Sequence, residues 1–403
     1  MNVALRQDGT LGPSYLEPTL SAAVRIARVD VFDNLKDAEP VWRKLEAAGA
    51  LMTPYQRFEW AALWHHHVTG RMGIKPFIIV ASDDAGTPLF LLPLSLRNKR
   101  GMTIAGFFGG RHSNLNSGIW RRDVAIAITA DEIRGVLAQA AEKHNIDLFK
   151  LVSQPATLHG VVNPLALFSP QPTPDDVYVL TVTGDNGKQA LKACLTSSMI
   201  GHLRTKERKL MALDGYRYLR ASTTADADRI LDAFFVQKES HLKAQGISNV
   251  FDDAEVTAFL RAGCHEGLDT GKPVIELHAL EGGGEVLAVF GGVNDGRRLS
   301  CMFNSYTSSE NGRWSPGLIL LTHLVMYCGD RQIDKFDLGA GHAFYKTIFC
   351  KDTEGAFDTI LGFSARGRLT AASLATVRDL KRRFKSTPAL WNALKSIRRI
   401  VKQ

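Results

Sequence analysis

At 403 residues, with 45% hydrophobic and 22% charged residues, the chain has ordinary globular composition, and it is long enough for about two to four domains with cores that need no staples. Of its 49 Lys and Arg, nine lie between Arg378 and Gln403 beside a single acid, Asp379, so the formal charge of +8 belongs to a tail and the neutral remainder does not look like a whole-surface nucleic-acid binder. The five cysteines, Cys194, Cys264, Cys301, Cys328 and Cys350, stand in no zinc-like spacing and read as reduced thiols of a cytoplasmic protein.

In chain order, Met1–Pro18 shows no apolar core run and no cleavage site, and residues 1–22 read as a loose leader. Val24, Ile26, Val29 and Val31 predict a strand. Asn34 suits the cap of a helix over 35–48, and Phe58, Ala61, Ala62 and Trp64 predict another over 57–68. Strands follow at Pro76–Ser82, Pro88–Leu96 and Met102–Phe108, then a helix over 131–144 and a strand over 147–152. Pro155, Pro164, Pro170, Pro172 and Pro174 mark a boundary. Beyond it come a strand at Val177–Val182 and a helical bridge over 187–213 with a basic face of Arg204, Lys206, Arg208 and Lys209.

The second half starts with a strand at Tyr216–Ala221 and helices over 225–244 and 253–266. Strands at Val274–Leu280, Val286–Val293 and Leu299–Ser305 are joined by Gly282-Gly283-Gly284 and Asn294-Asp295-Gly296, which are hairpin signals. A helix over 316–328, a strand over 333–338, a short helix over 343–349 and a strand near 357–363 follow. No apolar run reaches the ~18–20 residues that cross a bilayer, and Leu318–Cys328, which holds His323, reads as a buried helix. Both halves therefore read strand, helix, helix, three strands, helix, strand. The domains are expected at 23–175 and 176–370, the second including the bridge, with a tail over 371–403. Element order alone leaves two unrelated α/β domains as the alternative to a duplication.

Two segments carry candidate chemistry. In Arg313-Trp314-Ser315-Pro316-Gly317-Leu318, Ser315 suits an N-cap and Pro316 the first helical position, while Gly317 lets a ligand approach the backbone. Free N–H groups and the helix dipole favour an anion there, and Arg313 would add a charged fork. A well-capped helix explains the same residues. In Asp337-Leu338-Gly339-Ala340-Gly341-His342-Ala343-Phe344-Tyr345-Lys346 a strand ends in a glycine loop before a helix, where ligands of open α/β sheets collect. Gly339 and Gly341 leave room for a narrow ligand. The Tyr345 hydroxyl suits protonation of a leaving thiolate, and Lys346 would hold an anion. Asp337 would orient a nucleophile or tie down the loop, and a core role for Tyr345 stays open. Asn304 and Tyr306, at the end of the preceding strand, are candidate substrate contacts.

On Ser315-Pro316-Gly317, Asp337-Leu338-Gly339-Ala340-Gly341 and Tyr345-Lys346, with Phe58-Glu59-Trp60 and the basic helix Arg204–Lys209, the chain resembles a bacterial acetyltransferase family named for cellulose biosynthesis. This is the CelD/BcsL type with a BioF-like acetyltransferase domain, a tandem relative of the GNAT acyltransferases and of the FemAB aminoacyl transferases. The resemblance covers about 25–370 and is strongest in 300–350. It implies an α/β fold of tandem GNAT-like domains, each a mixed, mostly antiparallel sheet flanked by helices. It implies acetyl-CoA or another acyl-CoA as co-substrate, with the pyrophosphate at Arg313–Leu318 and the thioester between strands 299–305 and 333–338. Direct transfer to a sugar or envelope-polysaccharide precursor in a ternary complex follows. The donor loop holds only Gly312 and Gly317, fewer glycines than the GNAT pattern, which keeps an aminoacyl-tRNA donor open. The first half has no Ser-Pro-Gly before its helix at 131–144, so it is expected to serve as scaffold or acceptor platform.

Other features point elsewhere. The consecutive His65-His66-His67 cannot share one helix face and read as a helix end, and no metal is expected. His241 and His265 read as structural, and Arg111–Gly118 as a polar turn or part of an acceptor cleft. In the tail, Thr387 and Pro388 suit a helix start, with Leu390, Trp391, Leu394, Ile397 and Val401 on one face. Such a basic amphipathic helix fits peripheral contact with an anionic membrane, or packing on the enzyme with a solvated rim. Nucleic acid is not an expected partner. The remaining alternative is a non-catalytic module of a polysaccharide synthase.

Overall fold

The computed structural model describes residues 25–386 apart from 111, 169 and 174. The leader expected over 1–22 and the amphipathic helix expected from Thr387 lie outside these residues.

The first half runs β1 (Arg28–Phe32), α1 (Leu35–Ala47), α2 (Phe58–Trp64), β2 (Lys75–Ser82), β3 (Pro88–Lys99), β4 (Met102–Phe107), α3 (Ala130–His144) and β5 (Leu148–Pro155). Asn34 caps α1 by accepting from the Asp37 N–H. After α2 the chain widens into a π-helical turn, His65–Thr69, so the predicted helix over 57–68 changes its winding at Trp64. The connecting elements are β6 (Val177–Thr181), α4 (Gly187–Cys194) and α5 (Ser197–Leu210). The single bridge expected over 187–213 is thus two helices, because Thr196 starts a new one by accepting from the Met199 N–H.

The second half repeats the first: β7 (Arg217–Arg220), α6 (Thr224–Ala244), α7 (Ala254–His265), β8 (Glu276–Gly282), β9 (Glu285–Asn294), β10 (Arg298–Tyr306), α8 (Pro316–Asp330), β11 (Lys335–Ala340) and α9 (Phe344–Phe349). β12 (Ala356–Gly362) and α10 (Ala365–Ser386) follow.

Two mixed sheets result, with the same plan. One has the order β1-β2-β3-β4-β5-β12, the other β7-β8-β9-β10-β11-β6, each with short flanking strands. Neighbours are antiparallel except β4 with β5 and β10 with β11, which are parallel and joined by the crossover helices α3 and α8. The last place in each sheet is filled from elsewhere in the chain. β12, which follows the second half, pairs with β5, and β6, which follows the first, pairs with β11. Between the halves the core is continuous: Trp60 and Trp64 of α2 meet Phe259 of α7 edge-on at centroid distances of 5.4 and 5.0 Å. Among the described residues no helix is long and apolar enough to cross a membrane.

Candidate active site

β10 and β11 pair only from Arg298 to Ser300 against Lys335 to Asp337. Beyond that they diverge, and a cavity of about 300 Å3 opens beside the freed part of β10. Its walls are Asn304–Tyr306 of β10, Ser315, Gly317 and Leu318 around the start of α8, and Phe344, Tyr345 and Ile348 of α9, with Val289 and Phe290 of β9 behind. Apolar side chains dominate, with Asn304, Ser305, Ser315 and Tyr345 as the few polar groups among them, the usual make-up of a small-molecule site.

Pro316 opens α8, as the sequence predicts. Ser315 does not cap it. Its backbone is left-handed, φ 58°, and its hydroxyl accepts from Lys206 Nζ of α5 at 2.8 Å instead of from the helix. The first turn holds no acid, so the positive end of α8 is left without a side-chain counter-charge and has an ammonium beside it. At Gly317 an added Cβ would touch the Tyr306 ring at 3.5 Å, so anything larger than a methyl fills the mouth.

Along the inner wall, Asn304 Nδ2 donates to the Tyr345 hydroxyl at 3.2 Å. Burial pushes the Tyr345 phenol up to about 12, with the nearby Cys301 adding to the rise and Asn304 opposing it. Burial also raises the Cys301 thiol to about 12. The Asn304 carbonyl accepts from Lys238 Nζ of α6 at 3.2 Å, and burial lowers the pKa of that ammonium.

Six of the residues singled out in the sequence, Asn304, Tyr306, Ser315, Gly317, Leu318 and Tyr345, therefore meet around one cavity. The others stand away from its walls. Arg313 points out, 64% exposed, against Glu310 and the face of Trp314, because the 310 turn Glu310–Trp314 directs it away from α8. Lys346 is turned inward, donating to the Gly339 and Ala340 carbonyls at 3.1 and 2.9 Å, and burial lowers its pKa. It ties the glycine loop to α9 and has no ammonium left over for a phosphate. The Gly341 N–H donates to the Asp176 carbonyl.

Asp337 is fully buried, and its carboxylate accepts from Arg298 at 2.9 and 3.1 Å, from Ser300 Oγ at 3.0 Å and from the Gly339 N–H at 2.7 Å. That geometry holds the root of the fork and leaves nothing aimed at a nucleophile. Burial works against the Arg298 charge, but Asp337 and Glu354 outweigh it and raise its pKa. Removing the guanidinium in Arg298→Ala strands a buried carboxylate and is expected to cost about 3–5 kcal/mol in urea unfolding. A loss below about 1 kcal/mol would mean that the pair is not holding the fork.

Sequence reasoning gave Lys206 only as part of a basic face and Asn114 only within the 111–118 loop, and missed Lys238 and Tyr55. The signal for Lys206 was present, since a basic helix next to a helix start is an electrostatic match. Lys238 and Tyr55 gave none, because their partners are distant in sequence. The segment read as a polar turn or part of an acceptor cleft, 111–118, is buried at Ser113 and Leu115–Gly118, which a solvated turn would not be.

Residues 197–347 match the family described as "Acetyltransferase (GNAT) domain". The second half is an acyltransferase domain. The match runs from the start of α5 into α9 and so contains Lys206 and the cavity wall except Ile348. No curated protein matches the chain. Among solved structures, FemX is similar with a TM-score of 0.51 at 8% identity, over 82% of this chain and 97% of that one. The C-terminal domain (DUF2156) of a putative lysylphosphatidylglycerol synthetase from Agrobacterium fabrum gives 0.49 at 9% identity, over 85% and 96%. At such identities the FemX likeness shows the fold alone. Among the described residues of the acyltransferase, no three His, Cys, Asp or Glu side chains are grouped to hold a metal.

Proposed function

We propose that the chain transfers an acyl group, most simply acetyl, from acyl-CoA to an amine or hydroxyl acceptor by direct attack in a ternary complex. The observation that carries this reading is one cavity running from an uncapped helix start with Lys206 beside it to a diverged strand with Tyr345 on its wall. The pyrophosphate would lie at Ser315–Leu318 and Lys206, and the pantetheine arm between α8 and α9 along β10.

The acceptor nitrogen or oxygen attacks the thioester carbon, and donors of the freed strand polarise the carbonyl, an effect worth roughly 3–4 kcal/mol per donor. As the intermediate collapses, the C–S bond breaks, the Tyr345 proton passes to the departing sulfur, and the proton shed by the acceptor nitrogen or oxygen returns the tyrosinate to phenol. Burial pushes the Tyr345 phenol up, so it keeps its proton at neutral pH and has it to give. The acceptor class, a sugar or an envelope or exopolysaccharide precursor, is supported by the resemblance to the CelD/BcsL type. We place the work in the cytoplasm, with the basic tail 378–403 as contact to anionic lipid.

Calorimetric titration with acetyl-CoA tests the donor. Binding near one per chain is expected, weakened at least about 30-fold in Gly317→Trp, whose indole fills the mouth. Exposed Arg204, Arg208 and Lys209 on α5 favour a second reading, a FemAB-like transferase using aminoacyl-tRNA. Absence of acetyl-CoA binding by the folded chain, together with RNA binding that falls steeply with salt, would replace the first reading by the second.

A further inference from the structure

Where two parallel strands part, the backbone groups on their facing edges lose their partners and must find others. On β10 the first such carbonyl is that of Cys301, and side chains of the first half satisfy it. Asn114 Nδ2 and the Tyr55 hydroxyl both donate to it, the latter at 3.3 Å. Asn114 also touches the other strand. Gly339 on β11 has φ +79°, and a Cβ placed there would stand 2.9 Å from Asn114 Nδ2. One amide group is thus lodged between Cys301 and Gly339, next to the last paired residues Ser300 and Asp337.

The loop that carries Asn114 closes the matching fork of its own half. β4 and β5 pair only at Ile104 with Leu148 and Ala105 with Phe149. Beyond them Asn116 bridges to β5, its N–H donating to the Ser153 carbonyl at 2.8 Å and its Nδ2 to the Val152 carbonyl at 3.2 Å. Ser113 Oγ fixes the Asn116 amide at 2.8 Å. The crossover helix there, α3, is closed as well. Thr129 and Glu132 form a capping box at its start, and Asp131 and Glu132 fill its first turn with negative charge. An anion that suits α8 is repelled from α3.

We propose that Asn114 is a positioning residue of the second half's site, a wedge from the first half that sets the separation of β10 and β11. The first copy has given up its own cleft, and the loop that fills it holds the other cleft open. The Asn114 amide, bonded to the Cys301 carbonyl and packed against Gly339, keeps β10 from settling onto β11, and thereby keeps Asn304 in place against Tyr345 on the cavity wall.

Amide hydrogen exchange on the unliganded full chain reads the fork without assuming any reaction. In Asn114→Ala, exchange over 301–306 and 338–341 is expected to change about tenfold, while that of the β2 core, 77–81, stays as in the wild type. Tyr55→Phe keeps the ring and removes one donor, so the same segments change about two- to fivefold, which decides the matter if Asn114→Ala does not fold. Unchanged exchange at the fork in a folded variant overturns the wedge whether or not the chain transfers acyl groups. Turnover adds a second readout, which rests on the acyl-transfer reading. In Asn114→Ala, kcat falls about tenfold or more while Kd for CoA stays within about threefold, because the start of α8 is untouched. An unchanged kcat, or a loss of CoA affinity as large as the loss of kcat, overturns the positioning role. A wild-type chain that binds no CoA defeats the donor reading alone, and exchange still decides the wedge.

Discussion

Tyr345→Phe is expected to lower kcat about 10²-fold or more and to leave the KM for acyl-CoA within about threefold. The substitution keeps the ring that packs in the core of the second half and removes only the hydroxyl held by Asn304. Uniform binding is therefore retained, and what disappears is the proton supplied as the C–S bond breaks. Without it a thiolate must depart into an apolar cavity where charge is poorly solvated. The pH profile gives an independent check. With the phenol raised to about 12 it stays protonated through the working range, so the rate should climb as the acceptor amine deprotonates and show no descending limb below about pH 10. A descending limb near pH 9 that vanishes in Tyr345→Phe would mean that the tyrosine ionises as an exposed one does. Unchanged turnover in the variant would remove it from the mechanism, leaving Asn304 as the polar group of that wall.

The features that could be read in the sequence are those in which residues near each other in the chain determine the outcome. Asn34 caps α1, Pro316 opens α8 and Asn294-Asp295-Gly296 turns β9 into β10, because each device acts over three or four residues. The repeated order of elements was legible for the same reason, whereas the mixed sheets were expected from the family resemblance alone. Side chains whose partners come from afar were not. Ser315 has the composition of a cap, yet Lys206, far upstream, holds its hydroxyl. Asp337 looks as fit for catalysis as for structure until Arg298 is found on it. The polarity of 113–118 suggests a solvated turn, because the carbonyls that pay for its burial belong to β5 and β10. Strands of five to seven residues also carry no address. Nothing in Ala356–Gly362 says that it completes the sheet of the first half.

That crossing of β12 into the first sheet makes a second large effect expected. Expressed separately, residues 1–175 and 176–403 should each fail to give a cooperative melt, and co-expression should restore one. Cutting there leaves β5 as an open edge, and Phe357, which β12 buries in the first core, must be left in water or carried by the wrong fragment. Asp358, which accepts from the Ser153 N–H at 2.6 Å, goes with it. The cut also exposes the face where Trp60 and Trp64 meet Phe259, and it strips Asn114 and Tyr55 from the fork. A domain has only about 5–15 kcal/mol of net stability, and losing a sheet edge together with an apolar interface exceeds that. A fragment 176–403 that melts cooperatively and binds acetyl-CoA like the full chain would show that β12 is dispensable and that the second half stands alone. Failure of both fragments with rescue on co-expression would make the two copies one folding unit, in which the half without an open cleft is retained because it completes the core and the fork of the half that has one.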